Sequence, residues 1–194
     1  MKKMRENILS IFLTSVFMIP TAFSSESAVA EEGGAISYNI GYMSEYWYRG
    51  VHQSDSAVSF GADYEVGGFY LGTWWADVDT GLEHDYYGGY AFSAMGMDMY
   101  AGFTGYYYTD NFDSDYEEFN FGVAMGPIAV DFADGNYDGS SVTDTGYTFT
   151  SVALDLAMVG LPMTLTAGYW GGDSSLKGNV YTLDYGTTVS GVDV

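Results

Sequence analysis

The sequence predicts an all-β protein, an up-and-down antiparallel transmembrane β-barrel of a bacterial outer membrane. Apolar and polar residues alternate with period two through most of the chain after residue 35, as they do in β-strands. Short turns alternate with longer acidic loops, an asymmetry typical of outer-membrane barrels. Aromatic residues make up 18% of the chain, which favours ordered β-structure over disorder.

The first thirty residues have the pattern of a cleaved secretory signal peptide. Three basic residues within the first five precede an apolar run from Ile8 to Ile19, and small residues lead to Ala30. The run is shorter than the roughly 20 residues that a membrane-spanning helix needs. We therefore expect cleavage after Ala30, export, and a single barrel domain over residues 31–194.

The net negative charge of the predicted mature chain limits the kinds of molecule that it can bind. After the predicted cleavage, Arg49 and Lys177 are the only basic residues and stand against 24 carboxylates. Such a negative field repels nucleic acids and makes cations the natural small partners. The chain has no cysteine, so disulfides add nothing to its stability.

Ten strands are predicted, each with one apolar and one polar face. Parity changes within one of them, so a β-bulge is expected near Thr150. The predicted strands span residues 36–49, 58–66, 68–77, 85–95, 97–108, 116–125, 128–134, 146–157, 162–171 and 179–189.

The connections fall into two classes. Short turns are predicted at 66–68, 95–96, 126–127, 159–162 and 190–191, and longer segments at 50–56, 77–85, 109–118, 134–145 and 171–178. A soluble sandwich or lipocalin-like barrel would show the same alternation with its apolar face inward. Tyr and Trp near strand ends favour the membrane alternative, with lipid and lipopolysaccharide as partners. These aromatic residues are Tyr46, Trp47, Tyr48, Trp74, Trp75, Tyr106, Tyr107, Tyr108, Tyr169 and Trp170.

The last residues suggest a further strand. Ser190 and Gly191 have the character of a short turn, and residues 192–194 begin a new alternating segment. Because such barrels have even strand numbers, twelve strands are expected in a complete form. The alternative is a ten-stranded barrel with a three-residue tail.

One segment resembles a known family. Residues 44–55, SEYWYRGVHQSD, resemble the first-strand signature of the TorF-family putative porins, and residues 68–74, 85–90 and 183–186 are similar in the same order. This resemblance implies an outer-membrane barrel of a Gram-negative proteobacterium with a pore function. The chain differs from the family in ending at Val194 instead of at a terminal aromatic residue.

The polar strand faces predict a lumen lined by carboxylates. Rings of carboxylates favour cation entry, so cation preference is expected. The lone Arg49 is interpreted as a lumen salt bridge, with an anion-docking role as the less favoured alternative. The predicted pore-lining residues are Asn39, Glu45, Arg49, Asp63, Glu65, Asp98, Glu118, Asn120, Asp131, Asp155 and Asp184.

Residues 134–139 read D-G-N-Y-D-G, which is the first half of a calcium loop. Asp134, Asn136 and Asp138 would supply oxygen ligands, but Thr145 stands where a bidentate Glu is needed. An EF-hand is therefore excluded. A weak divalent-cation site remains, and an ordinary polar loop is the favoured alternative.

Catalysis has little support in the sequence. His52 and His84 are the two histidines, both predicted in loops and without a nucleophile-like serine nearby. We expect no enzyme activity and no cofactor. The favoured function is a narrow, cation-preferring porin for ions or small solutes; the rival is a non-conducting barrel acting as envelope scaffold or surface interaction protein. A barrel-embedded lipid enzyme using His84 or His52 is the third hypothesis.

Overall fold

The computed structural model describes residues 10–13, 34–138, 145–173, 175–189 and 192–193. The predicted signal peptide lies outside the described residues except for Ser10–Leu13, and the predicted turn at 190–191 lies outside them entirely. Among the described residues, no helix is long and apolar enough to cross a bilayer.

The described chain is built almost entirely of strands. One 3-10 turn, Leu156–Val159, interrupts them. In chain order the strands are β1 (Ser10–Leu13), β2 (Ala35–Met43), β3 (Tyr46–Tyr48), β4 (Val51–Ser54), β5 (Ala57–Val66), β6 (Phe69–Asp77), β7 (Leu82–Ala94), β8 (Met97–Tyr108), β9 (Asp115–Met125), β10 (Ile128–Asp138), β11 (Thr145–Asp155), β12 (Met163–Gly172), β13 (Gly178–Tyr185), β14 (Thr188–Val189) and β15 (Val192–Asp193).

Ten strands, β2 and β5 to β13, form one antiparallel meander in which each pairs with the next along the chain. The all-β class and the ten-stranded antiparallel sheet are thereby confirmed. At one edge β1 pairs with β13 in parallel, and β2 is the other edge. Among the described residues, no hydrogen-bonded ladder joins the two edges.

The sheet curls around a cavity to which all ten of these strands contribute side chains. We call the face toward this cavity the inner face. It carries the fully buried carboxylates Glu83, Asp85 and Glu118. The opposite, outer face exposes large apolar side chains such as Ile40, 83% exposed, and Phe119, 73% exposed. Water-soluble proteins usually distribute these residue types the other way round.

The two ends of the sheet differ in their connections, as predicted. At the turn end, Gly67-Gly68 and Met95-Gly96 join strands through two residues of positive φ, the conformation that tight hairpins require. At the loop end most described connections are longer, such as residues 109–114 between β8 and β9. The exception lies at the turn end, where residues 156–162 join β11 to β12.

The long first strand predicted over 36–49 is wrong beyond Met43. The chain bends at Ser44 and Glu45, and β3 and β4 form a separate small hairpin. Tyr46, one of the Tyr and Trp residues near strand ends that favoured the membrane alternative, is instead buried. Alternation alone could not show this, because a bend resets the parity of every residue that follows.

Three further local predictions are wrong. The pairing of β11 with β10 and β12 runs without a register shift through Thr150, so the expected bulge is absent. His84 lies within β7 and His52 within β4, not in loops. Four of the Tyr and Trp residues near strand ends that favoured the membrane alternative point to the inner face and are buried: Tyr46, Trp74, Tyr106 and Trp170.

Candidate functional site

The small hairpin formed by β3 and β4, residues 46–54, folds against the inner face at the loop end; we call it the latch hairpin. Its two strands are joined by Arg49 and Gly50, with φ of 45° and 78°. Positive φ at both turn positions is the geometry of a type I′ turn, which suits a two-residue hairpin. Arg49 therefore sits at the tip of the hairpin.

Arg49 pairs with Glu118 on β9. Nη1 and Nη2 donate to Oε2 and Oε1 at 2.8 and 2.9 Å, a bidentate pair. Glu118 also accepts from the hydroxyls of Tyr106 and Tyr147, each at 2.9 Å, and from Asn120 Nδ2 at 2.7 Å. Five donors thus compensate this buried carboxylate: two from Arg49 and one each from Tyr106 of β8, Asn120 of β9 and Tyr147 of β11.

The tip of the latch hairpin also contacts three further strands of the sheet, β11, β12 and β13. The Arg49 guanidinium lies 4.7 Å from the ring centre of Phe149 and 5.7 Å from that of Trp170. Trp170 Nε1 donates to the Arg49 carbonyl at 2.8 Å. A Cβ on Gly50 would lie 3.0 Å from Val180 Cγ2. The tip of the latch hairpin, which follows β2 in the chain, therefore contacts side chains of β11, β12 and β13.

Aromatic packing fills the loop half of the inner face. One buried cluster surrounds the hairpin base and contains Met43, Tyr46, Ala57, Trp74, Ala76 and Val78. A second contains Ala133, Tyr147, Phe149 and Trp170. The second cluster packs around the ion pair of Arg49 and Glu118, whose side chains are 16% and 0% exposed, so the pair lies in an environment of lower dielectric constant than water.

Electrostatics keep the hairpin groups in single protonation states. Burial alone lowers the pKa of Arg49, but the adjacent Glu118 carboxylate raises it well above its usual value. Burial raises the pKa of Tyr48, whose hydroxyl contacts that of Tyr106 at 2.6 Å. Arg49 stays charged and Tyr48 stays neutral across the physiological range.

Below the latch, toward the turn end, lies a cavity of about 360 Å³. Its walls combine carboxylates and tyrosines: Asp63 accepts from Tyr87 at 2.5 Å, and Asp131 accepts from Tyr100 at 2.8 Å. Six further lining residues are small and polar, namely Asn39, Thr104, Asn120, Ser151, Thr166 and Thr182, and large apolar rings come from Trp47, Trp74, Phe132 and Phe149.

The predicted pore-lining residues divide into two groups. Asn39, Arg49, Asp63, Glu65, Asn120 and Asp131 line the cavity, and Glu118 is buried at the latch. Four others do not line it. Glu45 is exposed at the bend before the hairpin, Asp98 is exposed beside Ser93, Asp155 caps the 3-10 turn, and Asp184 accepts from Thr182.

Glu83 and Asp85, two buried carboxylates on the inner face of β7, are not among the predicted pore-lining residues. The predicted strand begins at residue 85, whereas β7 begins at Leu82. The alternation of Tyr87 and Gly89 extended backward would have placed both carboxylates inward.

The residues of the predicted divalent-cation site lie in a strand and not in the loop that was predicted. Asp134, Asn136 and Asp138 lie in β10 on its exposed face, so they form a row along a strand and not a cation-binding loop. Among the described residues, no group of three or more His, Cys, Asp or Glu side chains is arranged to hold a metal ion.

A family model described as a bacterial protein of unknown function, Gcw_chp, matches residues 27–190. The chain belongs to this family. No curated protein and no solved structure matches the chain. The resemblance of this Gcw_chp protein to TorF porins stays a prediction.

Proposed function

We propose that this protein is an outer-membrane β-barrel that forms a narrow, cation-preferring channel for ions or small solutes, closed at the loop end by the latch hairpin. The observation that carries the proposal is the distribution of polar and apolar side chains between the two faces of the sheet. Glu83, Asp85 and Glu118 are buried inside, while an apolar surface is exposed outside. Lipid is the solvent that such an outer face suits, and a polar interior is typical of transmembrane barrels.

Closure of the barrel requires β2 to pair with β13. In a meander of ten strands these two run antiparallel, and Asn39 of β2 and Thr182 of β13 already line the same cavity. The edge of β13 is occupied by β1, which lies within the predicted signal peptide. Cleavage after Ala30 would free this edge for β2.

The interior charge supports cation preference. Asp63, Glu65, Asp85 and Asp131 line the cavity, and Arg49, the basic side chain among its described lining residues, is neutralised by Glu118. Carboxylates on a pore wall lower the free energy of a cation there and raise that of an anion. The same field would disfavour anionic solutes.

One observation favours the rival function, a non-conducting barrel that acts as envelope scaffold or surface interaction protein. The base of the latch hairpin is packed as tightly as a protein core, with Tyr46, Gln53 and Ser54 each at most 7% exposed. Small barrels whose interior is filled by side chains need not conduct. A channel would have to displace this hairpin to open.

Conductance in planar bilayers distinguishes the two functions. The refolded protein is compared with a latch-free variant, in which a glycine-serine linker replaces residues 46–54, and with Asp63→Asn plus Asp131→Asn. The proposal expects brief cation-selective steps from the wild type, judged by reversal potential in a KCl gradient. It expects longer openings without the latch and weaker selectivity without the two carboxylates.

Asp98→Asn is the matched control, because Asp98 is exposed outside the cavity lining. It should leave conductance and selectivity unchanged. If both the wild type and the latch-free variant are folded by circular dichroism and silent in the bilayer, the channel proposal is wrong and the scaffold function is favoured.

A further inference from the structure

The loop half of the inner face contains a carboxylate pair that its own surroundings do not neutralise. Glu83 and Asp85 lie two residues apart on β7, so both side chains point to the inner face. They are 1% and 2% exposed. The latch carboxylate Glu118 uses Arg49, which leaves these two charges without a basic partner among the described residues.

Each of the two carboxylates has an oxygen with no hydrogen bond. Glu83 Oε1 accepts from the Tyr46 hydroxyl at 3.1 Å, but Glu83 Oε2 and Asp85 Oδ1 are buried without a donor among the described residues. Buried polar atoms are almost always paired, and an unpaired buried carboxylate is particularly costly. Two such atoms on one strand face indicate a missing positive partner.

The surroundings supply oxygen atoms and a closed wall. The pairing of β7 with β8 places Tyr108 opposite Glu83 and Tyr106 opposite Asp85. On the other side, Ala76 and Trp74 of β6 hold the corresponding positions. Carboxylate oxygens are the ligands that hard cations prefer, and water would complete the coordination of an ion held by the two carboxylates.

We propose that Glu83 and Asp85 together bind one divalent cation of the calcium type. Two uncompensated carboxylates match one double positive charge. Ca²⁺ tolerates irregular oxygen coordination better than Mg²⁺, which demands a near-ideal octahedron. Asp85 also lines the cavity, so the cavity is the route by which an ion would reach the site. The inference does not rest on conduction, because a bound ion could equally stabilise a closed barrel.

The site differs from the one predicted at Asp134, Asn136 and Asp138. Those side chains lie on an exposed strand face, where water already satisfies them. The Glu83 and Asp85 oxygens are withdrawn from water, so binding an ion replaces a missing interaction instead of a hydration shell.

Calcium titration of the refolded full-length protein tests the proposal after EDTA treatment and dialysis. Isothermal titration calorimetry should give one Ca²⁺ per chain. Glu83→Gln and Asp85→Asn should each weaken binding by roughly tenfold or more, because affinity depends on the number of charged ligands. Asp98→Asn, which removes an exposed carboxylate, should bind as the wild type does. Tb³⁺ luminescence excited through tyrosine or tryptophan should follow the same order, since Tyr46 and Trp74 lie beside the site.

A measurement that needs no variant covers the case in which these substitutions prevent folding. Millimolar Ca²⁺ should raise the thermal midpoint of the stripped wild type, and EDTA should reverse the shift. The proposal is overturned if the wild type binds no Ca²⁺ and its midpoint does not move. It is also overturned if Glu83→Gln and Asp85→Asn bind Ca²⁺ as tightly as the wild type, or if Glu83→Gln stabilises the metal-free protein while Ca²⁺ has no effect, because protons would then neutralise the pair.

Discussion

The two halves of the inner face use similar residues in opposite ways. In the loop half, tyrosines donate to the buried Glu118, aromatic rings pack around Arg49, and the latch hairpin fills the space. In the turn half, tyrosines donate to Asp63 and Asp131 at the wall of an open cavity. Pairs of tyrosine and carboxylate are therefore part of a filled interior in the loop half and of a cavity wall in the turn half. The latch hairpin, which fills the loop half, accounts for this difference.

This difference has an energetic consequence. Glu118 has no access to water, so losing a donor leaves part of its charge uncompensated. Asp131 borders a cavity that water can enter, so a lost donor is replaced by water at little cost. Equivalent substitutions should destabilise the loop half more than the turn half.

Loss of the latch ion pair should have the largest effect. Glu118→Leu leaves the Arg49 charge buried without its anion, and we expect the free energy of unfolding to fall by about 3–5 kcal/mol. Adding Arg49→Met should restore most of this loss, since no buried charge then remains. Urea unfolding followed by tryptophan fluorescence measures both. Asp131→Asn in the turn half should cost about 1 kcal/mol, and equal losses at Glu118 and Asp131 would remove the distinction between the halves.

A glycine pair separates backbone strain from contact at the hairpin tip. Gly50 and Gly67 both have positive φ, so alanine at either should cost about 1–2 kcal/mol. A Cβ at Gly50 would in addition press on Val180, whereas a Cβ at Gly67 meets nothing within 4 Å. Gly50→Ala should therefore cost about 1 kcal/mol more than Gly67→Ala, and Val180→Ala should remove this excess. Identical losses for the two glycines would mean that the tip does not contact β13.

Removal of single hydroxyls should give a smaller contrast of the same sign. Tyr147→Phe deletes a donor to buried Glu118 and should cost about 1–2 kcal/mol. Tyr100→Phe deletes a donor to Asp131, where water can substitute, and should cost about 0.5 kcal/mol or less. The urea midpoints of the two variants give the comparison directly. A larger loss for Tyr100→Phe would contradict it.

The smallest stability effect is expected at Asp63, where charge matters more than packing. Asp63→Asn keeps an acceptor for the Tyr87 hydroxyl and should leave the urea midpoint nearly unchanged. If the protein conducts, the same substitution should shift the reversal potential toward lower cation selectivity. A stability loss as large as that of Glu118→Leu would show that Asp63 belongs to a dry core.

Strand parity accounts for what the sequence could predict. Asp63, Asn120 and Asp131 lie in long regular strands, and counting alternate residues from an apolar neighbour placed them inward. The same method failed at Tyr46 and its neighbours, because the latch hairpin depends on tertiary contacts. Arg49 and Glu118 are 69 residues apart, and no local pattern encodes their pairing.

Two other failures have local causes. Glu83 was assigned to the acidic segment 77–85, and Asp85 to the boundary between that segment and the predicted strand, although the alternation of β7 continues through both. Residues 134–138 were read as a turn from their Asn and Gly, although pairing with β9 and β11 on both sides holds them in an extended strand. In both places tertiary pairing overrides the local preference of polar residues for loops.

Thiol accessibility compares the two halves in one experiment. The chain contains no cysteine, so Ala76→Cys in the loop half and Thr182→Cys at the cavity wall each introduce a single reporter. With a small cationic methanethiosulfonate, we expect rapid labelling at position 182 and strong protection at position 76. Protection at 76 should be lost when a glycine-serine linker replaces the latch hairpin, residues 46–54. Equal labelling at both positions with the latch intact, or protection at 76 that survives its removal, would contradict closure of the loop half by the latch hairpin.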